Sequence, residues 1–307
     1  MASPALNTPP AQPTPALAAF TGDGPLPSGR TFYGATRSSE PVRDLTLSEI
    51  VHTIERSVPV HTHERAYFEL ALGGNYEESC YRGMLQFRPF TSAYNPTGTR
   101  HFGRVGPGGV RLFSIEVGDV WLQQFRLAHT EPGEIQDSHG GEMTFLALQL
   151  LRQHLEGEAP ALTVESLVWE LIAAAAQVKD QRLREAPAWW SRILELLHAD
   201  FAHDLSIAEV AAEARVHPVH LARTFRRLLN QTPGEYVQRL RVRYACEQLS
   251  QPDCDIAEVA AASGFSDQSH LTRVFKRFSH TTPAEFHNLI AHPRKALLSH
   301  TRALALV

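Results

Sequence analysis

The chain has 307 residues, 43% of them apolar and 20% charged, and a formal net charge of −4. That length sets an expectation of about two domains, and the composition is that of a globular protein, not a disordered or disulfide-stapled one. No run approaches the ~18 apolar residues of a membrane span, and Cys80, Cys246 and Cys254 form no metal-type spacing, so a cytoplasmic protein without a membrane partner is expected.

Residues 1–30 are rich in Pro and Ala and lack a basic n-region; they read as a loosely ordered arm, not a secretory signal. Between about residues 46 and 117 come short, alternating, aromatic-rich segments: SEIVHTIERSV, YFELALGGNYEESC, GMLQFRP and VRLFSIEV. These read as β-strands, with GGN, RG, NPTGT and GPGG as turns between them. An antiparallel β-barrel or jelly roll over 31–130 is therefore expected. Phe68, Tyr76, Tyr81, Phe87 and Phe113 either line an apolar cavity for a small-molecule effector or fill a closed core.

His61-Thr62-His63 precedes one of these strands, and Pro96-x-Gly98-x-x-His101 follows later. Together they resemble the two halves of a cupin signature. In metal-binding cupins the matching histidines hold a divalent ion, which here implies His61, His63 and His101 with Glu69 as fourth ligand. The chain departs from that pattern in three places. Glu69 falls one residue late, and a one-residue slip in a strand points a side chain to the opposite face. Phe90 stands where the second half has glycine, and Val105 where it has asparagine. The expectation is thus an effector pocket of His61, His63, Phe68, Tyr76, Phe87, His101 and Phe113, with no metal or other cofactor.

Residues 131–180 contain two amphipathic helical patterns, MTFLALQLLRQHL and TVESLVWELIAAAAQV. In the second, Val164, Val168, Leu171, Ala175 and Val178 recur by four and three, a short coiled-coil-like seam. It serves either to pack on the barrel or to join two chains as a homodimer. A linker over 181–187 then leads, with Pro187 near a first helical turn, into a C-terminal domain over 188–294 and a tail over 295–307.

That last domain repeats itself. IAEVAAEARVHPVHLARTFRRLLNQTPGEY starts at Ile207 and IAEVAAASGFSDQSHLTRVFKRFSHTTPAEF at Ile256. Ile207, Val210 and Ala211 match Ile256, Val259 and Ala260, and Leu221, Phe225 and Leu228 match Leu271, Phe275 and Phe278, each set one face of a helix. One extra residue of the second copy falls between the two helical patterns. The face left over on the second helix carries Val219, Ala222, Arg223 and Arg226 in one copy, and Gln268, Ser269, Thr272, Arg273 and Lys276 in the other. Such a basic and polar stripe suits the major groove, where arginine pairs with guanine, glutamine with adenine, and small apolar groups meet the thymine methyl.

These residues resemble the DNA-binding domain of AraC/XylS-type regulators. The likeness runs over roughly 189–294 and includes both IAEVA openings, Gly264-Phe265, SHLTRVFKRF and the closing TPAEF. It implies two helix-turn-helix units, about 207–228 and 256–278, joined by a linking helix over 235–249. On that helix Val237, Leu240 and Tyr244 take core spacing, while Arg239, Arg241 and Arg243 face outward.

The expected fold is multidomain α+β, an N-terminal cupin-like barrel with flanking helices and a C-terminal all-α domain. Base contacts are expected from Val219, Ala222, Arg223, Gln268, Ser269, Thr272 and Arg273, and phosphate contacts from Arg226, Arg239, Arg241 and Lys276. The expected function is a non-enzymatic, sequence-specific transcription regulator of double-stranded DNA, controlled by a small molecule and working with RNA polymerase if it activates. The acidic net charge does not oppose this, because affinity follows the charge of the docking face. The rival reading is a metal-dependent cupin enzyme with an attached helical domain. A third is an interaction module with idle arginine faces.

Overall fold

A computed structural model describes residues 32–291 apart from 82, 129–131, 133, 134, 158, 159 and 177–185. The expected arm, the C-terminal tail, Val178 of the seam and most of the linker lie outside the described residues. Eight strands come first: β1 (Ala35–Val42), β2 (Leu45–His52), β3 (Arg56–His61), β4 (Ala66–Cys80), β5 (Gly83–Phe87), β6 (Thr91–Asn95), β7 (His101–Val117) and β8 (Gln136–His139). They make one antiparallel sheet in the order β1-β2-β7-β4-β6-β8, with β3 also on β7 and β5 also on β4. The pairing path stays open at β1 and β8, so the closed barrel is not formed by these strands.

Two long strands carry the sheet. β4 and β7 pair from Ala66↔Val117 to Cys80↔His101, with register shifts around Gly73 and Gly74. GGN and GPGG, read above as turns, lie inside these strands and bend them. Gly74 has φ +79°, and a Cβ there would meet the Gly109 carbonyl oxygen at 2.1 Å. Glycine is used for the close approach of two backbones, not for chain reversal.

Period-two alternation divides the side chains between two faces. Tyr67, Ala71, Tyr76, Phe87, Val105, Val110 and Leu112 form one buried cluster. Phe68, Leu70, Phe113, Ile115 and Val117 turn the other way, into a second cluster shared with helices. Those helices include α1 (Asp119–Ala128), α2 (Glu142–Glu156) and α3 (Ala161–Ala176). Val164, Val168, Leu171 and Ala175 of the seam are all buried within the chain, where α3 packs on α2. These four seam residues are thus covered within the chain by α2 and its neighbours.

Among the described residues seven helices follow: α4 (Trp190–Asp200), α5 (Ile207–Glu213), α6 (Pro218–Leu229), α7 (Pro233–Leu249), α8 (Ile256–Ala262), α9 (Gln268–Ser279) and α10 (Pro283–Ala291). The repeat is exact in length, with α5 and α8 of 7 residues and α6 and α9 of 12. The two copies differ in what supports them. Val210, Leu221, Phe225 and Leu240 close a core with α4 residues Trp190, Ile193 and Leu197. Val259, Leu271, Phe275 and Phe286 instead join the cluster that runs on into α2, α3 and the sheet. The first unit stands on its own core; the second shares one with the N-terminal half.

The extra residue of the second copy lies in the turn, between Phe265 and the cap Asp267. Just before it, Gly264 has φ +79° where the first copy has Arg215 at +55°. An L residue in this left-handed region costs about 1–2 kcal/mol. Moreover, a Cβ on Gly264 would lie 2.3 Å from the Ala202 carbonyl oxygen. Gly264→Ala is therefore expected to lower stability by about 2 kcal/mol or more, and Arg215→Gly to raise it by up to about 1 kcal/mol. Urea unfolding of the two variants checks both signs.

Candidate nucleic-acid interface

Helix α6 starts at His217, whose Nδ1 accepts the Val219 N–H at 3.3 Å, and α9 at Asp267, which accepts the His270 N–H at 2.7 Å. The Thr-Pro pair of each copy begins the next helix. Thr232 and Thr282 cap α7 and α10 with Glu235 and Glu285 answering at the third position, and proline takes the first turn. Accepting the Thr232 and Thr282 backbone N–H groups holds both glutamates below the usual carboxylate range. Glu235 and Glu285 thus sit at helix starts, where the dipole favours them, and the α6 and α9 stripes themselves carry no acid.

The apolar faces of α6 and α9 are fully used, with Leu221, Phe225, Leu271 and Phe275 at 0% exposure. Opposite them Val219, Arg223 and Arg226 are exposed, and so are Gln268, Ser269, Arg273 and Lys276; Ala222 and Thr272 are half-buried. On α9 all the expected residues, together with Arg277, line one open concavity. Thr272 donates its hydroxyl hydrogen to the Gln268 carbonyl at 2.8 Å, so it presents a methyl group and acceptor lone pairs. Arg277 is tied to Gln238 of α7, whereas Arg223 and Arg273 have no hydrogen bond or ion pair among the described residues.

The linking-helix arginines require a correction. Arg241 donates from Nε to the Phe201 carbonyl at 2.7 Å and from Nη2 to the His203 carbonyl at 2.8 Å. Arg239 lies with its guanidinium 5.9 Å above the Phe278 ring. Neither points freely outward, because both repeat units and the N-terminal half pack around α7. Its core also extends past the expected set, to Val242, Ala245, Cys246 and Leu249. Arg241→Met is expected to destabilise the fold by about 1–3 kcal/mol, visible as a lower melting temperature in the absence of DNA.

The expected effector pocket divides between the two faces of the sheet. His61, His63 and His101 come together with Tyr76, and Phe87 lies in the same cluster. Phe68 and Phe113 point away, toward the helices, since they occupy the other parity of their strands. Glu69, expected to turn away, in fact lines the histidine side with Glu78. The space among them measures about 20 Å³, room for one water or one ion. An organic effector needs some 300 Å³ or more. The sequence reading missed Glu78, whose Oε2 lies 3.8 Å from His101 Nε2. Treating GGN as a turn hid the fact that Tyr76 and Glu78 continue the β4 face. Burial, and then the neighbouring His101, bring His61 down to about 4. Burial also lowers His101 and pushes Glu78 up to about 8.

The N-terminal half grips the second unit directly. Arg111 of β7 donates to the Ile290 and Leu289 carbonyls of α10 at 2.6 and 3.2 Å. His139 of β8 bonds Glu247 of α7 at 2.5 Å. Phe90 meets Phe286 at 5.6 Å between ring centroids, and Phe145 of α2 meets Phe278 at 6.2 Å. Phe90, at the glycine position of the cupin pattern, has φ 74°, a costly conformation for a bulky residue.

A family model described as a helix-turn-helix domain matches residues 210–288. A Proteus vulgaris protein named "Probable transcription factor PqrA" is 37% identical over 82 residues, 27% of this chain and 67% of its own length. A Streptomyces antibioticus protein named as an AraC-like transcription regulator is 28% identical over 151 residues, 46% of this chain and 50% of its own. Apart from PqrA, the chain spans about half the length of the curated relatives it matches. Among solved structures, ToxT from Vibrio cholerae aligns over 81% of this chain and 99% of its own at 12% identity, with a TM-score of 0.34, too low a likeness to build on.

Proposed function

The chain belongs to the AraC family of DNA-binding transcription regulators, and from that membership we propose that α6 and α9 are its two recognition helices, entering successive major grooves. The observation that carries this reading is the pair of matched exposed stripes, each built on a fully buried opposite face. Arg223 and Arg273 read guanine; Gln268 and Ser269 add polar readout on α9; Val219 and Ala222 offer α6 only apolar contact. The two heads therefore prefer different half-sites. Arg226 and Lys276 meet phosphates, while Arg239 and Arg241 act mainly by holding α7 in place.

On this reading residues 31–130 form a cupin-like sensor, 131–180 a helical packing segment, and 188–294 the DNA-binding domain of a cytoplasmic, non-enzymatic protein. A signal received by the sensor changes its grip on the second unit through Arg111, His139 and Phe90. The first unit, on its own core, follows only through α7. Homodimerisation and contact with RNA polymerase belong to the same proposal.

Selection of bound sequences from a random DNA pool, followed by footprinting, tests the reading. Protection of two unlike segments on one face of the duplex, ~34 Å apart, is expected. Equal weak binding to every sequence, or protection of a single groove, would sink it. Lys276→Gln is expected to weaken binding evenly across sequences and to reduce the salt slope by about 1, measured by fluorescence anisotropy at several salt concentrations.

A further inference from the structure

The chain carries its positive charge almost entirely as arginine, 26 residues against 3 lysines, Lys179, Lys276 and Lys295. Lys276 is the one lysine among the described residues, and it stands on the exposed stripe of α9. The matching position of α6 is Arg226, so the two copies agree in charge there and differ in chemistry. A guanidinium stays protonated, whereas a lysine amine can give up its proton and attack an acyl group. The second recognition helix therefore carries a nucleophile that the first lacks. Its surroundings suit an anionic reagent. Lys276 lies in an open concavity of about 510 Å³ whose wall also includes Ser269, Thr272, Arg273 and Arg277, and none of the wall residues is acidic. Arg273, Lys276 and Arg277 are i, i+3 and i+4 of one helix, so the three cations share a face. Arg273 makes no hydrogen bond or ion pair among the described residues. Arg277 is held in place by its bond to Gln238 and by lying 4.8 Å above the Phe278 ring. A guanidinium has five N–H donors, which leaves Arg277 more to offer after Gln238. Two guanidiniums in this arrangement can fork onto a phosphoryl group and leave its substituent beside the amine.

We propose that Lys276 is an acylation site, taking its acyl group from a small acyl phosphate held by Arg273 and Arg277, and that acylation loosens the second recognition helix alone. The neutral amine attacks the acyl carbonyl carbon and a C–N bond forms. The bond from that carbon to the phosphate oxygen breaks, and phosphate leaves with the electron pair. The amine's proton passes to solvent, and nothing is oxidised or reduced. The amide product has lost its charge, and with it one contact to the DNA backbone. Arg226 cannot follow, so α6 keeps its hold and the modified chain grips the duplex fully only at its first half-site. That consequence rests on the regulator reading; the acylation site does not.

The test incubates the full chain with acetyl phosphate and follows acetylation of each lysine by peptide mass spectrometry. Lys276 should be acetylated ahead of Lys179 and Lys295. R273A should slow its acetylation by about three- to tenfold without slowing the other two, and excess inorganic phosphate should do the same. Operator binding is then read by fluorescence anisotropy across a salt series on K179R/K295R and on K276R, each compared with itself before and after treatment. Complete acetylation should weaken binding by K179R/K295R about fivefold at about 0.15 M salt and lower its salt slope by about 1. The same treatment should not change binding by K276R. Acetylation of Lys276 that is absent, or no faster than at Lys179 and Lys295, would overturn the site. Equal rates in R273A and wild type would remove the arginine-held phosphate. An unchanged salt slope with Lys276 fully acetylated would overturn the effect on α9. Untreated chain that selects no DNA sequence removes the regulator reading, while the acetylation rates decide the site separately.

Discussion

Replacing Arg223 and Arg273 together by alanine is expected to remove most of the discrimination between the operator and unrelated DNA while leaving the fold unchanged. Both side chains are exposed and make no hydrogen bond or ion pair among the described residues, so their removal breaks no polar contact there. A bidentate arginine–guanine pair is worth about 1–3 kcal/mol against a wrong base. For the well-separated pair the losses add, giving roughly 2–6 kcal/mol. R273A alone should relax preference in one half-site and R223A in the other. The second half-site should retain some selectivity through Gln268 and Ser269, whereas the first, read by Val219 and Ala222, should lose nearly all of it. Competition titrations with operators mutated in one half at a time would show this. Operator affinity of the double variant equal to wild type would refute the contact assignment.

The C-terminal half was legible because its signals are local. Helix periodicity survives in Leu221, Phe225 and Leu228, the caps are short-range, and duplication checks every assignment twice. Even the position of the inserted residue could be read, since an insertion inside either helix would have rotated its apolar face. The linking helix misled because outwardness is not local. Arg239 and Arg241 have the spacing of a solvent face, yet three partners surround α7, and Arg241 finds carbonyls 40 and 38 residues back.

The N-terminal half was harder for a related reason. Glycine normally marks a turn, but at Gly74 and Gly109 it marks a bend where backbones cross. The error cut β4 and β7 in two and separated Glu78 from the histidines it faces. Phe68 and Phe113 were grouped with the histidines by aromatic character; strand parity puts them on the helix side. His61, His63 and His101 were found together because the cupin pattern preserves their spacing. Their hydrogen-bonding state depends on the carbonyls of Pro59 and Thr99, which no spacing reveals.

Phe286→Ala is expected to be the most destabilising single change in the second unit, at about 3–5 kcal/mol. Its ring is 1% exposed and lies 5.4 Å from Phe275 in the unit's own core and 5.6 Å from Phe90 of the sheet. Deleting it opens a cavity at the point where the two halves share a core, so both should melt at lower temperature. The counterpart in the first unit is Tyr236, half-buried and packed on Phe225 at 5.6 Å. Tyr236→Ala reaches only the first unit's core and should cost less. Hydrogen exchange separates the two cases: F286A should speed exchange in α9, α10 and the adjoining strands, and Y236A in α4 to α6 alone. Equal and purely local effects would mean that the shared core does not couple the sensor to the second recognition helix. Phe90 sharpens the expectation. A phenylalanine held at φ 74° stores about 1–2 kcal/mol, and its contact with Phe286 is what the surrounding structure obtains from that strain. F90G should therefore weaken the link between the halves while costing less global stability than F286A.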